Sequence, residues 1–206
     1  MSKATQTDAM GSIQRGVKRA LDFVMSALGL ILLSPIFVII SVLMKCQRNG
    51  PIFFRQIRIG YKGKPFVILK FRTISKKTEK NTPQLIAKTS CKSSTPFEKF
   101  LREHHLDELP QLWNVLVGDM SLVGPRPERK YFIDKIMEHT DLYTVIYNMR
   151  PGLTSEATLY NGYTDTMEKM LKRLQMDISY FERRSLWLDF KIIIKTFVNI
   201  ISGNKF

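Results

Sequence analysis

The sequence predicts a mixed α+β fold that is mostly helical. A re-entrant, helix-break-helix membrane segment at the N-terminus precedes a small cytoplasmic domain with a short β-hairpin and amphipathic interfacial helices. Three observations carry this. The 22 uncharged residues between Asp22 and Lys45 are interrupted by Ser34-Pro35. Residues 51–74, PIFFRQIRIGYKGKPFVILKFRTI, alternate apolar and basic side chains around turn signals at Gly60 and Lys62-Gly63-Lys64-Pro65. Beyond residue 96, apolar side chains recur at helical spacing. The predicted divisions are a disordered tail over 1–12, a re-entrant anchor over 13–45 and the cytoplasmic domain over 46–206.

The anchor meets the length of about 20 residues that a spanning helix needs, but its flanks disagree with a simple crossing. Arg15, Lys18 and Arg19 precede it and Lys45, Arg48, Arg55 and Arg58 follow it, so the positive-inside rule assigns both ends to the cytoplasm. Pro35 lacks a backbone donor and obstructs the carbonyl four residues earlier, which kinks a helix. Ser34 can bond the freed backbone. The halves 23–34 and 36–44 would be roughly 18 Å and 14 Å long at 1.5 Å per residue, and neither covers a hydrocarbon core of about 30 Å. A kinked helix that spans is the other reading of charge and proline alone. A cleavable signal peptide is not expected, because the apolar run is too long and no small-x-small site follows it.

The net charge of +14 is local: residues 45–102 hold 15 basic and 2 acidic side chains, whereas residues 103–206 hold 13 and 14. A basic block directly after a membrane segment sits against anionic headgroups, at roughly 1 kcal/mol per Lys or Arg. Nucleic acid is the competing partner for such a block, but the stretch has no recognition motif and no aromatic stacking platform. Cys46 and Cys91 show neither ligand spacing nor a disulfide framework. The adjacent His104 and His105 diverge in a helix or strand and do not predict a metal cluster.

Within the domain, residues 51–74 read as two strands joined by a turn, presenting Arg55, Arg58, Lys70 and Arg72, and residues 75–96 read as a mobile loop. Residues 97–117, PFEKFLREHHLDELPQLWNVL, read as helical with an interruption at Pro110, which places Asp107 and Glu108 at a helix start or kink. A further helix is expected over 128–149 and a long amphipathic pair over 164–200. Its last stretch, SLWLDFKIIIKTFVNII, is either a core helix or an interfacial one with snorkelling lysines.

Chemistry concentrates in two places. An Asp-Glu pair at a proline-marked helix start can hold Mg²⁺ or attack phosphorus, although acidic residues also favour helix N-termini for stability alone. In GDMSLVGPRP (118–127), Arg126 lies between Pro125 and Pro127. Its restricted backbone suits a phosphate clamp, or simply a rigid turn.

Residues 13–74, which include KRALDFVMSALGLILLSPIFVII and GPIFFRQIRIGYKGKPFVILKFRT, and residues 106–127, LDELPQLWNVLVGDMSLVGPRP, closely resemble the bacterial sugar transferases known as monotopic phosphoglycosyl transferases. MRPGLT (149–154) and DISYFERRSLWLDFKIIIKT (177–196) continue the match. The resemblance implies a catalytic domain that moves a sugar 1-phosphate from a UDP-sugar to polyprenyl (undecaprenyl) phosphate, releasing UMP, as the initiating step of glycoconjugate synthesis. It implies Asp107 as nucleophile through a covalent phosphosugar intermediate. Glu108 completes the pair, placing Mg²⁺ or deprotonating the lipid phosphate. Arg126, Lys70 and Arg72 would neutralise the diphosphate, with Pro125 and Arg150 on the substrate side and Asp107 and Glu108 as metal ligands. The implied location is the cytoplasmic face of the bacterial inner membrane. The helix break at Ser34-Pro35 would hold the protein monotopic among anionic lipids, with no nucleic-acid partner.

Two stretches depart from the family pattern. After RPGLT the family commonly continues Gly-Leu-Ala-Gln, whereas this chain reads Ser155-Glu156-Ala157-Thr158, and the lysine- and threonine-rich loop 75–96 is distinctive. A non-catalytic, membrane-bound basic scaffold is the alternative from another functional class.

Overall fold

A computed structural model describes residues 6–47, 50–73, 95–161 and 166–202. Helix α1 (Ser12–Leu32) meets α2 (Ser34–Cys46) at a bend of 57°. The chemistry of the bend is local. Pro35 cannot donate to the carbonyl of Ile31 four residues earlier, and the Ser34 hydroxyl donates to that oxygen instead at 2.7 Å. Proline then occupies the first turn of α2, where its missing N–H is tolerated. The apolar end of α1 after Asp22 is about 15 Å long and α2 about 20 Å at 1.5 Å per residue. Among the described residues no single helix is long and apolar enough to cross a membrane, although the bent pair passes that test together.

The hairpin forms as expected: β1 (Phe53–Ile59) pairs antiparallel with β2 (Pro65–Phe71), Phe53 opposite Phe71 and Ile59 opposite Pro65, around a short 3-10 turn at Tyr61–Gly63. Helix α3 (Pro96–Glu103) opens with a capping box between Thr95 and Glu98, and α4 (Gln111–Val117) follows after a separate turn. The long helix expected over 97–117 is therefore divided. So is the one expected over 128–149, into α5 (Lys130–Met137) and α6 (Tyr143–Ile146). The Thr140 hydroxyl there accepts from the Leu142 amide at 3.2 Å, offering the backbone a local alternative to helix. The amphipathic pair is α8 (Met167–Arg183) and α9 (Leu186–Ile201), capped by Thr166 and Ser185.

A second sheet was not foreseen. β3 (Ser121–Val123) pairs parallel with β4 (Gly152–Thr154), ahead of α7 (Glu156–Asn161). The two segments approach so closely that a Cβ on Gly124 would lie 2.3 Å from the Arg150 carbonyl oxygen, and one on Gly152 would lie 2.1 Å from the Gly124 nitrogen. Neither position accepts a side chain.

The main core gathers Val123, Ile133, Met149, Ile178, Phe181 and Ile192 from β3, α5, the β4 approach, α8 and α9. A smaller cluster of Ile40, Met44, Phe71 and Leu101 seats α2 against the hairpin and α3. α1 also packs on the body of the fold. Arg19 donates to the Val115 and Leu116 carbonyls at 2.7 and 2.8 Å, capping the negative end of α4. Asp22 accepts from the Leu122 amide at 3.0 Å. Lys18 meets Asp189 at 2.6 Å, and the same carboxylate accepts from the Tyr180 hydroxyl. The N-terminal half of α1 is thus joined by polar bonds to α4, β3, α8 and α9.

Part of the expected tail makes contacts with the body of the fold. Asp8 accepts from Arg184 at 2.5 and 2.7 Å and pairs with Arg15, while Met10 is buried, so charge pairing and burial order residues 8–10. Residues 1–5 lie outside the described residues, as do residues 75–94 of the loop expected over 75–96, whose last two residues, Thr95 and Pro96, instead cap and open α3.

Candidate active site

Asp107 and Glu108 sit on a 3-10 turn of their own, Leu106–Glu108, wedged between α3 and α4. The turn is entered through His105 in the left-handed region, at φ 54°. Non-glycine residues avoid this conformation unless their surroundings impose it, and such positions cluster at functional sites. Here it reverses the chain after α3 so that the carboxyl pair faces the hairpin.

Asn114 explains why the hairpin is within reach. It projects from the middle of α4 and is 2% exposed, accepting from the Leu69 amide at 3.1 Å and donating to the Val67 carbonyl at 2.8 Å. One side chain thereby pairs the free edge of β2 as a neighbouring strand would. It fixes Lys70, the next residue, over the carboxyl pair.

Glu108 is the organising group. Lys70 Nζ lies 2.5 Å and Arg126 Nη2 3.4 Å from its Oε1. Burial alone would raise the Glu108 pKa, but the charges of Lys70 and Arg126 outweigh it and hold the carboxyl well below its usual range. Asp107 forms no ion pair among the described residues and is 8% exposed. Burial, with the adjacent Glu108 charge, pushes it up to about 6. The neighbours are thus differentiated: Glu108 is a fixed anion that gathers two cations, and Asp107 is a buried carboxyl without an ion-pair partner among the described residues.

Arg126 comes from the turn after β3, between Pro125 and Pro127, both buried. The carbonyl of Pro125 accepts from the Gly152 amide at 2.9 Å, and that of Pro127 accepts from Arg58 at 3.0 Å. Lys70 and Arg126, read from the sequence as site residues, thus converge on Glu108. Arg72 is buried, with Nη1 3.1 Å from where a Cβ on Gly50 would lie. Arg150 donates to the Gly118 carbonyl at 2.9 Å and stacks over Tyr61 at 5.1 Å. Asn114 and Glu128 escaped the sequence reading, and His105 was weighed there only as a metal ligand. A lone amide on an apolar helical stretch was the available signal for Asn114, and an acid directly after Pro125-Arg126-Pro127 for Glu128.

No group of three or more His, Cys, Asp or Glu side chains that could hold a metal occurs among the described residues. Two adjacent carboxylates still suit Mg²⁺, which keeps several waters and is commonly bound by one or two protein carboxylates together with substrate phosphates.

The sequence model of bacterial sugar transferases matches residues 13–203. This chain belongs to the bacterial sugar transferase family. It is 40% identical over 190 residues to a UDP-glucose:undecaprenyl-phosphate glucose-1-phosphate transferase of Klebsiella pneumoniae, covering 91% of this chain and 40% of the relative. A Caulobacter vibrioides protein of the same name is 40% identical over 188 residues, 90% of this chain and 70% of the relative. An Aeromonas hydrophila UDP-N-acetylgalactosamine-undecaprenyl-phosphate N-acetylgalactosaminephosphotransferase is 35% identical over 187 residues, 91% of this chain and 44% of the relative. The chain therefore spans less than half the length of two of these sugar transferases. Relatives of similar identity are named for different sugars.

Proposed function

We propose that this sugar transferase moves a sugar 1-phosphate from a UDP-sugar to undecaprenyl phosphate, with Asp107 as nucleophile. The observation that carries the reading is the division of labour in the pair: a buried carboxyl without an ion-pair partner among the described residues beside one that holds Lys70 and Arg126. An Asp107 carboxylate oxygen attacks the sugar-bearing phosphorus, the phosphoanhydride bond breaks, and UMP leaves with its electron pair. A lipid phosphate oxygen then attacks the acyl phosphate, freeing Asp107 and forming the polyprenyl-diphospho-sugar. Lys70 and Arg126 offset the charge that gathers on the diphosphate, a preorganised stabilisation that needs no rearrangement during reaction.

Glu108, held ionised by its two cations, is a poor proton acceptor. A phosphate monoester with a second pKa near 6 is already mostly dianionic at neutral pH, so the lipid needs no base. This favours placement of cations over deprotonation as the role of Glu108. Asp107 and Glu108 would hold Mg²⁺, which supplies charge neutralisation of the diphosphate when bound.

The reading extends to location, the cytoplasmic face of the inner membrane. α9 leaves Trp187 and Phe197 more than 60% exposed, with Val198 on the same helix also exposed. α2 exposes Val38 and Ile39. Apolar surface of this extent calls for a covering phase, and lipid suits a re-entrant pair whose root is fixed to the active-site body. Incubating the full chain with undecaprenyl phosphate, Mg²⁺ and a panel of UDP-sugars should release UMP with at least one donor. Asp107→Asn should abolish it. Undiminished release from Asp107→Asn would refute the assignment.

A further inference from the structure

Arg126 has one ion pair among the described residues, at 3.4 Å to Glu108, and its side chain is 39% exposed. So long a contact on so open a side chain leaves its position to the backbone turn that carries it. Because neither proline has an N–H, the carbonyls of Pro125 and Pro127 are natural handles on that turn. β4 holds the first, through the Gly152 amide, and Arg58 holds the second.

Arg58 is itself held from behind. Its Nη1 lies 3.7 Å from Glu128 Oε2, and the other oxygen of Glu128 accepts from Arg173 Nη2 at 2.5 Å. The Glu128 backbone carbonyl also accepts from the Ile59 amide at 3.0 Å, fastening the same residue to the end of β1. Arg173 comes from α8, on the far side of the turn, and is 8% exposed. One largely buried carboxylate therefore separates two guanidinium groups. Removing it leaves two desolvated cations unpaired and frees Arg58 from the position in which it grips Pro127.

We propose that Glu128 and Arg173 are positioning residues for Arg126, holding its turn in the register at which the guanidinium meets the substrate diphosphate. The proposal rests on the reading of Arg126 as a diphosphate-neutralising group. Glu128 and Arg173 touch no reacting atom, and their effect passes through Arg58 and the Pro127 carbonyl.

The test uses the full chain in lipid nanodiscs with undecaprenyl phosphate and whichever UDP-sugar supports UMP release. A misplacement of about 1 Å costs on the order of 100-fold in rate. Glu128→Gln should accordingly lower kcat by about 10- to 100-fold while the KM for undecaprenyl phosphate stays within about threefold. Arg173→Lys, which keeps the charge but not the fork, should fall between Glu128→Gln and wild type. In an Arg126→Ala background Glu128→Gln should have less than about a threefold further effect, because coupled residues are not additive. An undiminished kcat in Glu128→Gln, or the same loss with and without Arg126, overturns the proposal. Hydrogen exchange supplies a readout independent of activity: the Ile59 and Gly152 amides should exchange faster in Glu128→Gln while the Leu122 amide is unchanged. If the wild-type chain releases no UMP with any donor, the functional reading fails, and unchanged exchange at Ile59 and Gly152 would then sink the positioning role separately.

Discussion

Asp177 lies on α8 one turn beyond Arg173 and is 7% exposed, sharing a small cavity with Glu128, Tyr143 and Arg173. Burial pushes its carboxyl up to about 7. Arg173 opposes the rise, and Glu128 and Glu156 add to it. An acid whose folded pKa lies above its unfolded value near 3.8 contributes stability that is fully present below 3.8 and lost as pH rises toward 7. A difference of about 3 units at about 1.4 kcal/mol each gives a full swing of about 4 kcal/mol. About half of that, ~2 kcal/mol, falls between pH 5.5 and pH 8.5. Asp177→Asn removes the titration while keeping the shape. Its stability relative to wild type, followed by chemical denaturation in one detergent, should therefore improve by ~2 kcal/mol from pH 5.5 to pH 8.5. Taking the difference between the two proteins cancels the groups that titrate in that window without interacting with Asp177. A relative stability that is flat with pH, or that falls as pH rises, would refute the reasoning.

Ser34→Ala leaves the Ile31 carbonyl without the hydroxyl that replaces the proline's missing donor. It should destabilise the bent pair by about 0.5–1.5 kcal/mol, read as a lower midpoint in detergent denaturation. With Cys46 and Cys91 replaced, a cysteine placed at Ser12 should stay protected from a periplasmic thiol reagent, and labelling there would mean that the segment crosses. Asn114→Leu strands the Leu69 amide and the Val67 carbonyl. It should cost about 2–3 kcal/mol and lower UMP release further by displacing Lys70; full activity in a stable variant would break that link. Trp187→Glu with Phe197→Glu should weaken partition onto anionic vesicles without changing the circular dichroism, and unchanged partition would place the lipid contact elsewhere.

What the sequence made legible was local. Ser34-Pro35 marks the bend because a missing donor and a neighbouring hydroxyl act within four residues, and the β1–β2 hairpin follows from alternation around a turn. Pro110 reports that Asp107 and Glu108 lie off the regular helix, although the left-handed His105 that turns them toward the hairpin leaves no pattern to read. The β3–β4 pair was hidden because its strands are three residues each, too short for periodicity, and its mark is the spacing that Gly124 and Gly152 allow. Long-range polar contacts were equally silent. Arg173 meets Glu128 across 45 positions, and Asp8 meets Arg184 across 176, which is why the first residues read as a free tail. Arg72 and Arg150 looked equivalent to Lys70 and Arg126 by charge and motif, and only the geometry separates the pair that converges on Glu108.

The central claim is that Asp107 carries the sugar phosphate between donor and lipid. Intact-mass spectrometry of the full chain, incubated with Mg²⁺ and an active UDP-sugar but no undecaprenyl phosphate, tests it most directly. The account expects a species heavier by one sugar phosphate, localised to the peptide containing Asp107, absent in Asp107→Asn and discharged when undecaprenyl phosphate is added. A wild-type chain that turns over rapidly, yet shows no adduct under rapid quench without acceptor, would contradict it.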